Sequence, residues 1–267
     1  MWQLDRFRKQ GLSRLRLPFV CAMALALLEG TSPRGAELVP FRGAEPEEVV
    51  LSLGSSGPGA SVVDGDLDAK VEAAFRAGAV AMARGELAGA KKTFISILEK
   101  RPEHLSSLVN LGWIAQRTKA WVEAEDYLKR ARHLSPDSAA IWLALGVVYL
   151  EQDRVDFALA AFSQVVALEP ANARAHRMLG LTLGRKEWYS AAEGELRRSL
   201  EIEPNDPGAH FNLAVIYLQR QPVAMELARR HYHLSVDLGS APDAKIDALL
   251  AQSMSPAQVS ASPQGVR

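Results

Sequence analysis

The sequence predicts an all-α fold, a solenoid of five stacked two-helix repeats. Three observations predict it: prolines, glycines and large apolar residues each recur at intervals of 34 residues along the middle of the chain. Alanines keep the same interval. The four series are Pro102, Pro136, Pro170 and Pro204; Gly78, Gly112, Gly146 and Gly180; Phe94, Leu128, Phe162 and Leu196; and Ala90, Ala124, Ala158 and Ala192. Composition alone does not place four residue classes in one register, so the period indicates an internal repeat.

Each class has a physical role in a pair of antiparallel helices, A and B. The prolines end each unit, because proline cannot continue a helix beyond its first turn. Ser138, Asn172 and Asp206 follow in matching positions, where each is a favourable N-cap for the next helix, and Pro207 stands at a first helical position. The glycines lie in helix A, where a missing side chain allows a neighbouring backbone to approach closely, and the alanines of helix B are expected to face them.

The third unit carries the most complete pattern. Its Leu145-Gly146 pair is flanked by aromatic, alanine and proline positions at set spacings, namely Trp142, Tyr149, Ala158, Phe162 and Pro170. This pattern resembles the tetratricopeptide repeat family. The second and fourth units match it in part and the first more weakly. The fifth has Ala214 in place of glycine, and Pro222 indicates an insertion of about two residues in its turn. The predicted units are 71–104, 105–138, 139–172, 173–206 and 207–242, followed by a capping helix over 243–254.

The resemblance implies a right-handed superhelix whose concave face is lined by the A helices and binds peptides. Projecting the same helical phases through the five A helices predicts an apolar groove rimmed by arginine and amide side chains. The candidate peptide-binding residues are Phe75, Met82, Val109, Asn110, Trp113, Arg117, Leu143, Val147, Arg174, Arg177, Met178, Leu181, Arg185, Phe211, Asn212 and Val215. Arg174 and Arg177 are expected to face solvent.

This lining favours a protein or peptide partner with an apolar segment and acidic neighbours or a free carboxylate, because guanidinium binds carboxylate bidentately. The family's two-carboxylate clamp is not reproduced, since Phe75, Leu143 and Ala144 stand where polar groups would be needed. The other interpretation remains open for each apolar residue, which could simply pack against the next repeat.

Charge and motifs exclude several functional classes. Lys+Arg and Asp+Glu are balanced at 31 each, so no basic excess points to nucleic acid, and a single cysteine, Cys21, excludes an internal disulfide or a thiolate metal cluster. No catalytic motif is found, and neither a cofactor nor a metal is expected. His176 and His210 occupy equivalent helix A positions and are interpreted as packing residues rather than metal ligands.

The ends of the chain differ from the repeats. A basic start followed by an apolar run over 17–28 predicts that residues 1–36 are a signal peptide, with an uncleaved inner-membrane anchor as the alternative. Residues 37–68 are predicted to be a flexible linker and 255–267 a disordered tail. We therefore expect a protein exported to the periplasm or cell envelope.

The leading functional expectation is a non-catalytic adaptor or scaffold that holds a partner segment in its concave groove. One alternative is a membrane-anchored repeat protein acting through self-association or complex assembly. The other is an enzyme that uses the repeats for recruitment, although the sequence offers no catalytic constellation for it.

Overall fold

A computed structural model describes residues 65–252, and throughout this range the chain forms helices joined by short turns. The predicted signal segment, most of the predicted linker and the predicted tail lie outside the described residues. The helices are α1 (Gly65–Ala83), α2 (Leu87–Lys100), α3 (Leu105–Arg117), α4 (Trp121–Leu134), α5 (Ala139–Glu151), α6 (Val155–Leu168), α7 (Ala173–Arg185), α8 (Tyr189–Ile202), α9 (Pro207–Gln219), α10 (Met225–Asp237) and α11 (Ala244–Gln252).

The helices pack as five consecutive hairpins, from α1 with α2 to α9 with α10, and each B helix also contacts the following A helix. Contacts between elements are therefore mainly local in sequence, which is the arrangement of a solenoid and confirms the predicted fold class. α1 begins at Gly65, inside the range assigned to the linker, and α11 lies within the range predicted for the capping helix.

The turn of the fifth hairpin confirms the predicted insertion. In the second, third and fourth hairpins three residues separate helix A from helix B, as in 118–120, whereas five residues, 220–224, separate α9 from α10. Pro222 lies within this longer turn.

The repeated glycines make room for the large apolar side chains of helix B. A Cβ placed on Gly112 would lie 2.7 Å from Leu128 Cγ, and one on Gly180 would lie 2.7 Å from Leu196 Cγ. The expectation that glycine admits a neighbouring backbone is therefore corrected, because the closest atoms belong to these side chains. The residues share one continuous apolar core that runs from Val71 to Leu250.

All three predicted N-cap residues occupy N-cap positions, and two of them cap the helix through their side chains. Asn172 accepts from the Ala175 N–H at 2.9 Å, and Asp206 accepts from the N–H groups of Gly208 and Ala209. Ser138 occupies the N-cap of α5 but makes no capping hydrogen bond through its side chain. His104 caps α3 instead of a small polar residue, since its Nδ1 accepts from the Ser107 N–H.

Ion pairs join successive repeats along the edge formed by the turns between helices A and B. In each pair, a cation near the turn of one repeat reaches a carboxylate on helix B of the repeat before it. The pairs are Arg154 with Glu125, Lys186 with Asp156 and Arg220 with Glu193. We call this series the inter-repeat ladder.

Candidate peptide-binding groove

The first three repeats present an open apolar surface on their A helices. Phe75, Trp113, Leu143 and Val147 are half-buried, because each packs against the core on one side and meets solvent on the other. The exposed guanidinium of Arg117 lies 5.0 Å from the centre of the Trp113 ring. Accessible apolar side chains and a cation therefore lie together on the second repeat.

The last two repeats do not keep this surface open. Five of the candidate residues are no more than 1% exposed, and they are Met178, Leu181, Phe211, Asn212 and Val215. Met82, Val109 and Asn110 are also buried. The apolar members belong to the continuous core, where Phe211 lies 6.5 Å from the Tyr232 ring and Val215 packs with the same cluster. The expectation of one apolar floor through all five repeats is corrected to an open floor over repeats one to three.

The arginines on the fourth repeat are engaged with the protein itself. Arg177 Nε lies 2.7 Å from Asp206 Oδ2, and the Arg177 side chain is 15% exposed, so the expectation that it faces solvent is wrong. Arg174 is half-buried. Arg185 is exposed and donates to the Leu150 carbonyl oxygen at 3.2 Å. Of these three, Arg185 offers the most accessible positive charge to a ligand.

An N–H-bearing ring recurs at one position of helix A. Trp142 Nε1 donates to the Pro136 carbonyl oxygen at 2.7 Å, and the Nε2 atoms of His176 and His210 lie 3.0 and 3.1 Å from the carbonyl oxygens of Pro170 and Pro204. Each ring therefore satisfies a carbonyl six residues earlier, at the junction between repeats. The equal spacing of proline and ring in the sequence is the signal that could have identified this contact.

The two histidines differ in what their second nitrogen meets. His176 Nδ1 lies 2.7 Å from Glu195 Oε2, so both of its ring nitrogens face oxygen atoms. His210 Nδ1 lies 2.9 Å from His231 Nδ1, where one ring must donate and the other accept. The pKa of His231 is lowered to about 4, mainly by burial and in part by the electrostatic effects of His210, Arg230 and Arg197. Glu193 has a smaller effect that raises this pKa.

These contacts support the packing interpretation of His176 and His210, because all four of their ring nitrogens have partners within the protein. Among residues 65–252, no group of three or more histidine, cysteine, aspartate and glutamate side chains is placed to hold a metal ion. Across the same residues, no helix combines the length and apolar character needed to cross a bilayer.

Two tetratricopeptide repeat models match the chain, one over residues 75–139 and the other over residues 115–181. The glycine and large apolar positions that pack together in the first three hairpins fall within these ranges, as does Gly180 of the fourth. The chain contains tetratricopeptide repeats (TPR) over residues 75–181.

Known proteins share the repeats at low identity. The chain is 23% identical over 168 residues to a BBSome complex member BBS4 homolog of Drosophila melanogaster, and the match spans 35% of that protein. MamA (residues 41 to the end) from Desulfovibrio magneticus RS-1 superposes with a TM-score of 0.60 at 19% identity, over 66% of this chain and 97% of MamA. YrrB, described as a TPR protein with an unusual peptide-binding site, gives a TM-score of 0.58 at 18% identity, over 70% of this chain and 98% of YrrB. The two structures show a shared TPR fold.

Proposed function

We propose that this TPR protein is a non-catalytic adaptor that binds a segment of a partner protein on the concave surface of its first three repeats. The observation that carries the proposal is the open apolar floor formed by Phe75, Trp113, Leu143 and Val147. Accessible apolar side chains on successive A helices are typical of an interaction site. TPR proteins as a class bind other proteins, which agrees with this assignment.

The charges at the edge of this floor favour an apolar segment with acidic neighbours. Arg117 lies beside Trp113, Arg76 is exposed on the first repeat, and Arg185 is exposed on the fourth. A partner carboxylate could form charge-assisted hydrogen bonds with any of these guanidinium groups. Arg177 contributes less than the sequence predicts, because Asp206 already neutralises it.

The experiment compares partner capture by the wild-type chain and by a Trp113→Ala, Leu143→Ser variant, with cross-linking and mass spectrometry in the native cells. Both side chains are half-buried, so the variant is first shown by circular dichroism to keep its helical content. A Val80→Ser variant is the matched control, because Val80 is an exposed apolar residue of α1 that is 50% accessible. The proposal predicts that the groove variant loses the partner and the control keeps it. Equal capture by both variants would refute it.

We also propose that residues 1–36 direct export, which would place the adaptor in the cell envelope. The support is the order of a basic start and an apolar run over 17–28 that is shorter than a spanning helix requires. N-terminal sequencing of the mature protein tests this proposal. A start after residue 28 supports a cleaved signal, whereas Met1 retained on membrane-bound protein supports the anchored alternative.

A further inference from the structure

Large apolar side chains are exposed along the edge formed by the turns between helices A and B. Val122 is 80% exposed, Phe157 56%, Trp188 52% and Val223 43%, and they come from four successive repeats. Single exposed apolar residues are normal on a protein surface, but a row of them on one edge is not. We call these four residues the turn ridge.

Contacts of the inter-repeat ladder link neighbouring parts of the ridge. Val122 and Glu125 lie three residues apart on α4 and so share a face. Glu125 pairs with Arg154 at 2.8 Å, and the Arg154 guanidinium lies 4.3 Å from the centre of the Phe157 ring. The Glu125–Arg154 pair therefore links the second and third repeats between Val122 and Phe157.

The second half continues in the same way. Asp156, next to Phe157, pairs with Lys186, whose ammonium lies 5.0 Å from the centre of the Trp188 ring. Trp188 and Arg220 then line one surface concavity of about 520 Å³. Val223 follows Arg220 in the same turn. The ridge therefore reaches from the second to the fifth repeat and ends beside a pocket.

In the third and fourth repeats, the charges on the ridge differ in exposure. The cations there turn inward over aromatic rings and toward helix B, so that Lys186 is 24% and Arg154 34% exposed. The turn carboxylates Asp153 and Glu187 are exposed, and so is Asp156, which pairs with Lys186. The ladder carboxylates Glu125 and Glu193 are largely covered, at 13% and 18% exposed. A ligand approaching the third and fourth repeats therefore meets apolar side chains interleaved with negative charge.

The turn residues that carry two of these carboxylates have left-handed backbones. Asp153 has a φ of 57° and Glu187 a φ of 61°, while Lys119 occupies the same place in the second repeat with a φ of 57°. Gly85 fills that position in the first repeat, and glycine adopts this conformation without strain. Lys119 also shows that a lysine fits this turn. Asp153→Lys and Glu187→Lys should therefore reverse the charge and keep the backbone conformation of the turn.

We propose that the turn ridge is a second docking surface, separate from the concave groove, and that it binds a cationic amphipathic helix of a partner protein. The apolar face of such a helix would cover Phe157, Trp188 and their neighbours. Its lysine or arginine residues would meet Asp153 and Glu187. The outward carboxylates argue against an anionic membrane as the occupant, because they would repel it.

The probe is a fluorescein-labelled synthetic helix of about 18 residues, or five turns, with leucine and tryptophan on one face and lysine on the other. Its binding to the full-length protein is followed by fluorescence anisotropy at physiological salt. A peptide with glutamate in place of every lysine is the charge control. The ridge variant is Asp153→Lys with Glu187→Lys, and the matched control is Asp137→Lys with Glu203→Lys, which reverses two exposed carboxylates in the turns at the opposite edge.

We expect the ridge variant to bind the lysine peptide about tenfold more weakly than wild type and the matched control to stay within about twofold. A Phe157→Ser, Trp188→Ser variant should also lose binding, whereas the groove variant Trp113→Ala, Leu143→Ser should not. Equal binding by the ridge variant and the matched control would overturn the proposal. So would preferential binding of the glutamate peptide, binding to phosphatidylserine vesicles that depends on the ridge, or light scattering that shows ridge-dependent self-association.

Discussion

Replacing Asp206 by alanine removes two contacts at the junction between the fourth and fifth repeats. Its carboxylate caps α9 by accepting from the Gly208 and Ala209 N–H groups at 2.8 and 3.2 Å. The same carboxylate pairs with Arg177 across the junction at 2.7 Å. Asp206→Asn separates the two contributions, because asparagine caps a helix about as well as aspartate but carries no charge.

The magnitudes follow from the geometry. Loss of the cap should cost about 1 kcal/mol. The Arg177 and Asp206 side chains are 15% and 11% exposed, which places the pair between an exposed pair and a fully buried one. We therefore assign about 2 kcal/mol to its loss. Asp206→Asn should lower the free energy of unfolding by about 2 kcal/mol and Asp206→Ala by about 3 kcal/mol, with a spread of about 1 kcal/mol on each.

Urea unfolding followed by circular dichroism measures the loss, and hydrogen exchange with mass spectrometry locates it. Because stability in a solenoid is carried by nearest-neighbour interfaces, faster exchange should be concentrated in α7, α9 and α10. Ser138→Ala is the matched control, since Ser138 occupies the N-cap of α5 without a side-chain capping bond and should cost little. Wild-type stability in both Asp206 variants would refute the reasoning, and equal losses in the two would refute the role of the cap.

Two further predictions concern packing and pH. Gly146→Val should destabilise the third hairpin by about 1 to 3 kcal/mol, because its new side chain would overlap the Phe162 ring. A Cβ on Gly194 would meet nothing within 4 Å, so Gly194→Ala should stabilise α8 by up to about 1 kcal/mol. Thermal unfolding compares the two variants, and unchanged stability in Gly146→Val would contradict the packing. His231 has a folded pKa of about 4, below the unfolded value, so the unfolded state binds the extra proton and stability should fall as the pH drops from about 6.5 to about 4. Allowing for solvent screening, the free energy of unfolding should fall by about 1 to 2 kcal/mol over this pH range. Urea unfolding across the range measures this fall, which should be absent from His231→Gln. An unchanged pH dependence in that variant would show that His231 is not the titrating group.

The repeat architecture could be predicted from the sequence because its signals are local and recur. Each 34-residue unit repeats the same small and large positions, and Gly112 and Leu128 meet in the hairpin that their spacing implies. The insertion marked by Pro222 is also local, and it appears as the five-residue turn before α10. These features depend on contacts within one hairpin, so a single sequence contains the information needed.

The candidate groove was predicted less completely, because its exposure depends on how repeats stack. Phe211 and Val215 have the same helical phases as Leu143 and Val147, yet only the second pair is accessible. Along α7 alone Arg177 has the position of a free rim charge, but Asp206, the N-cap of α9, pairs with it. Phase along one helix does not reveal such contacts between repeats.

The turn ridge was missed for a different reason. Phe157 and Trp188 stand at different positions relative to the repeat, so they do not appear as a series at the 34-residue interval. Their common feature is their place beside the turn, where they flank the Lys186–Asp156 pair. A scan for apolar residues at the starts of the B helices could have identified the ridge from the sequence.

Site-specific photo-cross-linking tests the central claim most directly. A benzoylphenylalanine at position 143 replaces Leu143 in the open apolar floor, and one at position 80 replaces the outward-facing Val80 as a control. In native cells, we predict an adduct from position 143 to an apolar, acid-flanked segment of one partner protein and none from position 80. No adduct at position 143, or the same adducts from both positions, would contradict a peptide-binding groove on the first three repeats.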